Sequence, residues 1–159
     1  MPPFATRRLR VLEAIDGVAI LAAAPVTIRN NDVEHDYRQD SDLHYLTGFD
    51  EPEAVLILTT VHDEHRSVLF VRPRDPEREV WDGARAGVDG AKELCGVDAT
   101  FEIRELGKLL PKYLEGASNL YYELGLSPGL DKRVLGAIGR VRGRGRNRKA
   151  WPASIVHPD

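Results

Sequence analysis

The chain has 159 residues and a mass of 17.7 kDa, which is about the size of one protein domain. Hydrophobic residues make up 42% of it and charged residues 30%, which excludes a disordered tail, a collagen-like fibre and a disulfide-stapled miniprotein. The single cysteine, Cys95, has no partner for an internal disulfide. This favours a reducing compartment, and we expect the cytoplasm.

The first third of the chain predicts a helix and a buried strand. Leu9, Leu12 and Ile15 have helical spacing within residues 5–15, and we expect the arginines of that helix to face solvent. The aliphatic run 18–24 has no polar side, which predicts a strand in the centre of a sheet that is covered on both faces.

The same run also resembles the apolar part of a short secretory signal, because arginines precede it and Ala-x-Ala ends it. However, Glu13 and Asp16 lie where a signal would be free of acidic residues, so a strand is the better interpretation. With seven apolar residues the run is too short to cross a membrane, which takes about 20 in a helix.

A long loop and a hairpin are predicted next. Residues 25–41 are mostly polar with few aliphatic residues, which predicts a long loop, and a loop of that length in a compact domain is often functional. A short helix is expected over 42–49, with Gly48 closing it. Two β-branched runs, 53–60 and 67–71, flank a polar turn and predict an antiparallel hairpin.

The following segments alternate between polar connections and regular elements. Residues 73–87 are interpreted as a polar connection and 88–94 as a helix, followed by a short strand over 100–103. Residues 106–114 have the leucine spacing of a helix, which Pro111 should kink or weaken.

The last third predicts one strand, one helix and an extended end. The strand covers 119–123, Asp131 is expected to cap a helix that continues to Val141, and 151–156 is expected to be an extended linker. Strands and helices alternate, but a hairpin lies in the middle. The fold class is therefore α/β, with a mixed β-sheet flanked by helices.

Candidate catalytic and metal-binding residues are few. His62 and His65 are spaced to share a metal ion, yet they lie at the tip of the predicted hairpin, where a solvated turn is the favoured interpretation. Cys95 ends an apolar helix and is interpreted as a small buried hydrophobic residue. The sequence contains neither a Gly-x-Ser-x-Gly elbow nor a phosphate loop, so no catalytic residue and no metal ligand is predicted.

Charge is distributed unevenly along the chain. The overall net charge is −3, but from Leu130 onward eight basic residues face two acidic ones. The segment Arg140–Lys149 could therefore bind nucleic acid as a basic tail. Aromatic stacking groups are scarce near it, since only Trp151 is close, so nucleic acid is the less favoured alternative.

The most specific pattern is an ordered set of short motifs. Tyr-Arg-Gln-Asp-Ser-Asp (37–42) is followed by Thr-Gly-Phe (47–49), Glu-Pro-Glu-Ala (51–54) and Glu-Val-Trp-Asp-Gly (79–83). This set closely resembles the N-terminal domain of Xaa-Pro aminopeptidases (aminopeptidase P), within the creatinase/prolidase group, and the resemblance extends over about residues 7–157.

The resemblance implies a creatinase/prolidase N-terminal domain-like fold with a ribonuclease H-like motif. In that family a catalytic domain follows, in which two divalent ions, typically manganese, activate a water to attack the bond before proline. The resemblance therefore implies an N-terminal domain over residues 1–150 and the start of a linker to an absent catalytic domain over 151–159. Alone, the chain should hold no metal cofactor and should not hydrolyse peptides.

The resemblance implies that the domain takes part in oligomer assembly and controls the access of substrate to the active site. In the family this domain packs against its own catalytic domain, helps to build a homo-oligomer and narrows the entrance for peptides with proline at the second position. The tryptophan of the Glu-(Ile/Val)-Trp motif lies near a neighbouring subunit's active site, and Trp81 holds that position here. An acidic residue in the loop before Tyr-Arg-Gln reaches the same region, and its match is Asp32.

The resemblance thus predicts that Trp81 packs on a substrate residue and that Asp32 binds the substrate's ammonium group. The structural alternatives are that Trp81 covers hydrophobic surface of its own domain and that Asp32 only solubilises its loop. Arg38 and Asp40 are expected to fix the loop by hydrogen bonds, as is Asp42, which with Ser41 is a candidate cap for the following helix. The residues expected in the core here are Leu43, Tyr45 and Phe49.

Overall fold

The computed structural model describes residues 3–26, 37–143, 152 and 154–156, together with the backbone of residues 28–29 and 33–34. The helices are α1 (Phe4–Ala14), α2 (Ser41–Thr47), α3 (Pro76–Asp82), α4 (Gly87–Cys95), α5 (Leu106–Leu114) and α6 (Pro128–Gly143). The strands are β1 (Val18–Ala22), β2 (Ile28–Arg29), β3 (Val33–Glu34), β4 (Val55–Thr59), β5 (Ser67–Val71), β6 (Ala99–Glu102), β7 (Asn119–Tyr121) and β8 (Ser154–Val156).

Six of these strands form one mixed sheet in the order β6-β5-β4-β1-β7-β8. β4 is antiparallel to both of its neighbours, whereas β5 and β6 are parallel, as are β1, β7 and β8. The predicted mixed sheet is confirmed, and so are the β4–β5 hairpin and the central place of the apolar strand β1.

Helices cover both faces of the sheet because the apolar side chains of its strands alternate between two cores. On one face Ile57 and Leu120 pack with residues of α5 and α6, among them Leu110 and Val134. On the other face Leu56 packs with residues of α1, α2 and α4. The protein is therefore a three-layer α/β/α domain, as the α/β prediction required.

Helix α5 continues through Pro111, which the sequence predicted as a kink or weak point. Proline has no N–H, so the carbonyl oxygen of Gly107 loses its intrahelical donor. Arg140 of α6 replaces it with a hydrogen bond of 2.8 Å from Nη1 to that oxygen. The basic side chain thus repairs the backbone of the neighbouring helix.

The interpretation of 73–87 as a polar connection was wrong, because it contains helix α3. The side chain of Asp75 caps this helix by accepting from the Arg78 N–H, Pro76 occupies the first turn, and Gly83 follows the last residue. These are helix boundary signals, but no apolar periodicity lies between them.

The polar loop 25–41 also contains regular structure, since β2 and β3 form a two-stranded antiparallel ladder. The helix after it is capped by Asp40, whose carboxylate accepts from the N–H groups of Asp42 and Leu43. Ser41 and Asp42, the predicted caps, are instead the first residues of the helix.

The extended segment near the end of the chain is not a free linker over its whole length. Ser154–Val156 pairs in parallel with β7, and the carbonyl of Val156 accepts from the Tyr122 N–H. Asp131 is likewise not a cap: α6 begins at Pro128, and the hydroxyl of Ser127 accepts from the Leu130 N–H. The Asp131 carboxylate accepts instead from the hydroxyl of Tyr122, at 2.6 Å.

For two side chains the predicted burial was wrong. Arg8 was expected in solvent but is buried, with hydrogen bonds to backbone carbonyls of α2 and of the turn after α4. Tyr45 was expected in the core but is exposed, and Arg7 stacks over its ring at 4.2 Å. Leu43 and Phe49 are buried as predicted.

Candidate functional site

Trp81 stands in solvent. It lies near the end of α3 and is 87% exposed, and its neighbour Val80 is 79% exposed. Trp81 is the most exposed large apolar side chain among the described residues, and adjacent exposed apolar side chains can form a contact surface. Trp81 therefore does not cover hydrophobic surface of its own domain.

The carboxylate of Glu79 holds helix α3 in place. Its two oxygens accept hydrogen bonds from the backbone N–H of Asp75 at 3.0 Å and of Arg85 at 2.8 Å. The guanidinium Nε of Arg74 donates to the same group at 2.9 Å. These bonds, the Arg85 N–H first among them, lower the pKa of Glu79 below its usual value, because they favour the charged form.

A second carboxylate holds the chain just after α3. Glu51 accepts from the backbone N–H of Ala86 at 2.9 Å and from Nη2 of Arg72 at 3.2 Å. The consecutive N–H groups of Arg85 and Ala86 are thus bound by carboxylates from two different parts of the chain. Sequence reasoning missed both acids, although Glu79 belongs to the Glu-x-Trp motif.

The Tyr-Arg-Gln motif is built around the side chain of Gln39. Its Oε1 accepts from the N–H of Ala24 at 2.9 Å, from the N–H of Asp40 at 2.9 Å and from the hydroxyl of Tyr37 at 2.8 Å. The Tyr37 hydroxyl lies 2.6 Å from the carbonyl oxygen of Ala24. Burial is the main cause that raises the pKa of Tyr37 to about 12.

The other end of the same amide joins the motif to the start of the Glu-Pro-Glu-Ala segment. Nε2 of Gln39 donates to the carbonyl oxygens of Phe49 at 3.1 Å and Glu51 at 2.8 Å. Gln39 is only 8% exposed, so these bonds are made in a low-dielectric environment. The motif residues Tyr37, Gln39 and Asp40 therefore fix the loop, whereas the side chain of Arg38 is exposed.

The structure does not test every predicted site residue. Asp32 lies outside the described residues. Residues 140–143 of the basic segment Arg140–Lys149 are described, and residues 144–149 lie outside the described part of the chain. Arg140 is hydrogen-bonded to Gly107, and Arg142 also has an interaction partner.

The histidine pair lies half-buried against α5. Nδ1 of His62 accepts from the N–H groups of Glu64 and His65, and Nδ1 of His65 lies 3.0 Å from the Tyr113 hydroxyl. The Nδ1 atom of His62 is thus used inside the turn, whereas that of His65 faces α5. The pair lies in a turn, as expected, but packs on Tyr113 instead of being fully solvated. Across the described part of the chain, no group of three or more His, Cys, Asp or Glu side chains could hold a metal ion.

Cys95 is buried, as predicted. Its pKa is raised to about 12, mainly by burial, so the thiol is protonated near neutral pH and is a poor nucleophile. None of the described helices is both long and apolar enough to cross a membrane.

The geometry defines an α/β domain that carries no metal-binding cluster among its described residues and that presents a tryptophan on a helix anchored by carboxylates. A sequence profile described as "Aminopeptidase P, N-terminal domain" matches residues 4–121. The chain belongs to the aminopeptidase P N-terminal domain family.

Solved and curated relatives agree with this assignment. An aminopeptidase of Pseudomonas aeruginosa matches 98% of the chain with a TM-score of 0.88 and 46% identity. Zinc-substituted aminopeptidase P of Escherichia coli in complex with product matches 97% with a TM-score of 0.86 and 38% identity. Human Xaa-Pro aminopeptidase 3 is 37% identical over 68% of the chain, which covers 22% of that protein.

The chain spans only about a third of its relatives. It covers 36% of the Pseudomonas and Escherichia coli structures, and 35% of the curated Xaa-Pro aminopeptidase of Escherichia coli, to which it is 38% identical. The match therefore assigns this chain to the N-terminal part of such enzymes.

Proposed function

We propose that the chain is the noncatalytic N-terminal domain of a metal-dependent Xaa-Pro aminopeptidase and that it controls which peptides reach the active site. The domain would cover residues 1–150, and 151–159 would lead into the catalytic domain. The family assignment supports the first part of this proposal. The exposed Trp81 carries the second part.

The proposed role of Trp81 follows from its chemistry and its position. A flat apolar ring held away from its own core is suited to packing on a substrate residue or on a proline ring. In a homo-oligomer it would reach a neighbouring subunit's active site. There, Asp32 would bind the ammonium group at the start of the peptide.

The metal ions are proposed to bind in the catalytic domain. Among the described residues, no group of three or more His, Cys, Asp or Glu side chains is placed to hold a metal ion. We propose manganese for the pair in the catalytic domain. One solved relative, aminopeptidase P of Escherichia coli, is zinc-substituted.

A chimaera tests the proposal. The chain replaces the matching 35% of Escherichia coli Xaa-Pro aminopeptidase, and hydrolysis of an Xaa-Pro peptide is measured after circular dichroism has confirmed folding. We expect activity, and we expect Trp81→Ala to reduce kcat/KM by about ten-fold, as loss of one substrate contact does. Glu77→Gln, at an exposed position of the same helix, is the matched control and should change kcat/KM by less than about two-fold.

Two results would contradict this proposal. A folded chimaera without peptidase activity would contradict the proposal that the chain serves as the N-terminal domain of an Xaa-Pro aminopeptidase. Equal kinetics for Trp81→Ala and the parent chimaera would remove Trp81 from the substrate path. Sedimentation of the active chimaera tests the oligomer, because a monomer could not bring Trp81 to a neighbouring subunit.

The compartment is part of the same proposal. We propose the cytoplasm, because a chain with a single cysteine forms no internal disulfide, which is typical of a reducing compartment. A relative from Arabidopsis thaliana is named as mitochondrial. Fluorescence microscopy of the tagged protein in its source cell would distinguish the two.

A further inference from the structure

We infer that Glu79 is a positioning residue, whose carboxylate fixes helix α3 on the domain and thereby sets where Trp81 stands. The structural part of this inference stands on the contacts of α3. Its kinetic part rests on the proposed function of Trp81.

Helix α3 has little apolar anchoring. None of its apolar residues is buried, and its seven residues are too few for a helix to be stable by itself in water. Its place on the domain therefore depends on polar contacts. Among the described residues, Glu79 makes the contacts that reach past both ends of the helix.

The geometry of Glu79 and Trp81 is complementary. Successive residues of an α-helix are about 100° apart, so two side chains separated by two positions point to nearly opposite sides. The side chain of Glu79 is 8% exposed and is enclosed by the segments that flank the helix, whereas Trp81 is 87% exposed to solvent. Since Glu79 binds the N–H groups before and after the helix, Asp75 and Arg85, it fixes both ends of the element that carries Trp81.

The residues around Glu79 are closely packed. Arg74, which donates to Glu79, packs against Gly87, where an added Cβ would lie 2.7 Å from the Arg74 Cγ. Gly87 also has a φ of +70°, which a residue with a side chain rarely adopts. Glu51 holds the adjacent N–H of Ala86. Removal of the Glu79 carboxylate would leave Nε of Arg74 and the N–H groups of Asp75 and Arg85 without their acceptor.

The structural test uses hydrogen exchange on the 159-residue chain. Glu79→Ala removes all three hydrogen bonds, and Glu79→Gln keeps the size but turns an NH₂ group towards a donor. We expect the Arg85 and Asp75 amides to exchange at least about ten-fold faster in Glu79→Ala. Glu77→Gln, an exposed acid on the same helix, is the control and should leave these rates within about two-fold.

A second readout follows Trp81 itself. In a Trp151→Phe background Trp81 is the one remaining tryptophan of the two in the chain, and its fluorescence anisotropy reports local motion. We expect the anisotropy to fall in Glu79→Ala and Glu79→Gln but not in Glu77→Gln. Unchanged amide exchange and unchanged anisotropy in a folded Glu79→Ala variant would overturn the inference.

The kinetic test is a double-mutant cycle in the active chimaera. Glu79→Gln should raise KM by about three- to ten-fold with kcat within two-fold, because a mobile Trp81 must be ordered when the peptide binds. With Trp81→Ala already present, Glu79→Gln should have no further effect. Additive effects of the two substitutions would show that Glu79 does not act through Trp81, and would overturn the kinetic part.

The two proposals fail differently. If Trp81→Ala leaves the kinetics unchanged, the substrate role of Trp81 falls, and exchange and anisotropy alone decide on Glu79. If Trp81→Ala lowers kcat/KM but Glu79→Gln has the effect of the Glu77→Gln control, the positioning role falls and the proposed function stands.

Discussion

The guanidinium of Arg8 donates a hydrogen bond of 2.8 Å to the carbonyl oxygen of Leu46, in the last turn of α2. A second bond of 3.0 Å reaches the carbonyl oxygen of Gly96, directly after α4. Arg8 is 3% exposed, and burial lowers its pKa. The C-terminal ends of two helices carry partial negative charge, which favours a cation there. One side chain of α1 thus joins all three helices on this face of the sheet.

Replacing Arg8 by methionine should destabilise the domain by about 2 kcal/mol, because the carbonyl oxygen of the buried Leu46 would lose its charged donor, and that of the more exposed Gly96 would lose a second bond. Urea unfolding followed by circular dichroism measures the change. Arg10→Met, on an exposed position of the same helix, should cost less than about 0.5 kcal/mol. If both variants lost the same free energy of unfolding, the hydrogen bonds of Arg8 would not contribute to stability.

Gln39→Glu should destabilise the domain by about 2–4 kcal/mol at pH 7, because a buried carboxylate would replace an NH₂ group that donates to two carbonyl oxygens. A protonated carboxyl can donate one of these bonds again. The melting temperature of the variant relative to the parent should therefore recover as the pH is lowered from 7 to 5. The exposed Ser41→Ala should behave as the parent at both values. A difference that does not depend on pH would contradict the role of the Nε2 donor.

Stability should fall as the pH rises above 9. The pKa of Cys95 is raised from 9.0 to about 12, and that of Tyr37 from 10.0 to about 12, in both cases mainly by burial. Between the ordinary and the raised pKa the unfolded chain loses protons that the folded domain keeps, so the free energy of unfolding decreases with pH.

Urea midpoints at pH 8 and 10.5 measure this decrease. A Cys95→Ala, Tyr37→Phe double variant should show a smaller decrease than the parent. Some decrease should remain, because the pKa values of Tyr113 and Tyr122 are also raised. If the urea midpoint fell equally between pH 8 and 10.5 in the parent and in the double variant, the pKa values of Cys95 and Tyr37 would not differ between the folded and unfolded states.

Nucleic-acid binding through the segment Arg140–Lys149 should be absent at physiological ionic strength. Arg140 is already bonded to the backbone of α5, which lowers the number of free cations available to phosphates. Fluorescence anisotropy of a labelled single-stranded oligonucleotide, titrated with the chain at low and at physiological salt, measures binding. Affinity that persists at physiological salt and falls steeply above it would favour the nucleic-acid alternative over the peptidase domain.

Local patterns were enough to predict much of the fold. The run Val18–Ala22 has no polar face, so it could lie only between covered layers, and it became the central strand β1. The pair of β-branched runs around a polar turn became the hairpin β4–β5. In each case burial of a continuous apolar surface decides the structure, and that surface is visible in the sequence.

The candidate site was only partly visible. The motif around Tyr37 and the match at Trp81 were recognised from the order of residues, but helix α3 was not, since it has no apolar face. Its folding depends on caps and on a carboxylate that accepts from both of its ends. Strand β8 was missed for a similar reason, because three residues become a strand only by pairing with β7.

The order of apolar and polar residues in the sequence by itself determined the α/β class, the central strand and the family resemblance. Tertiary structure alone decided that Arg8 is buried, that Gln39 and Glu79 are centres of hydrogen bonding, and that Trp81 stands in solvent. The physical reason is that apolar burial follows the periodicity of neighbouring residues, whereas a hydrogen bond needs a partner that the fold brings from elsewhere in the chain.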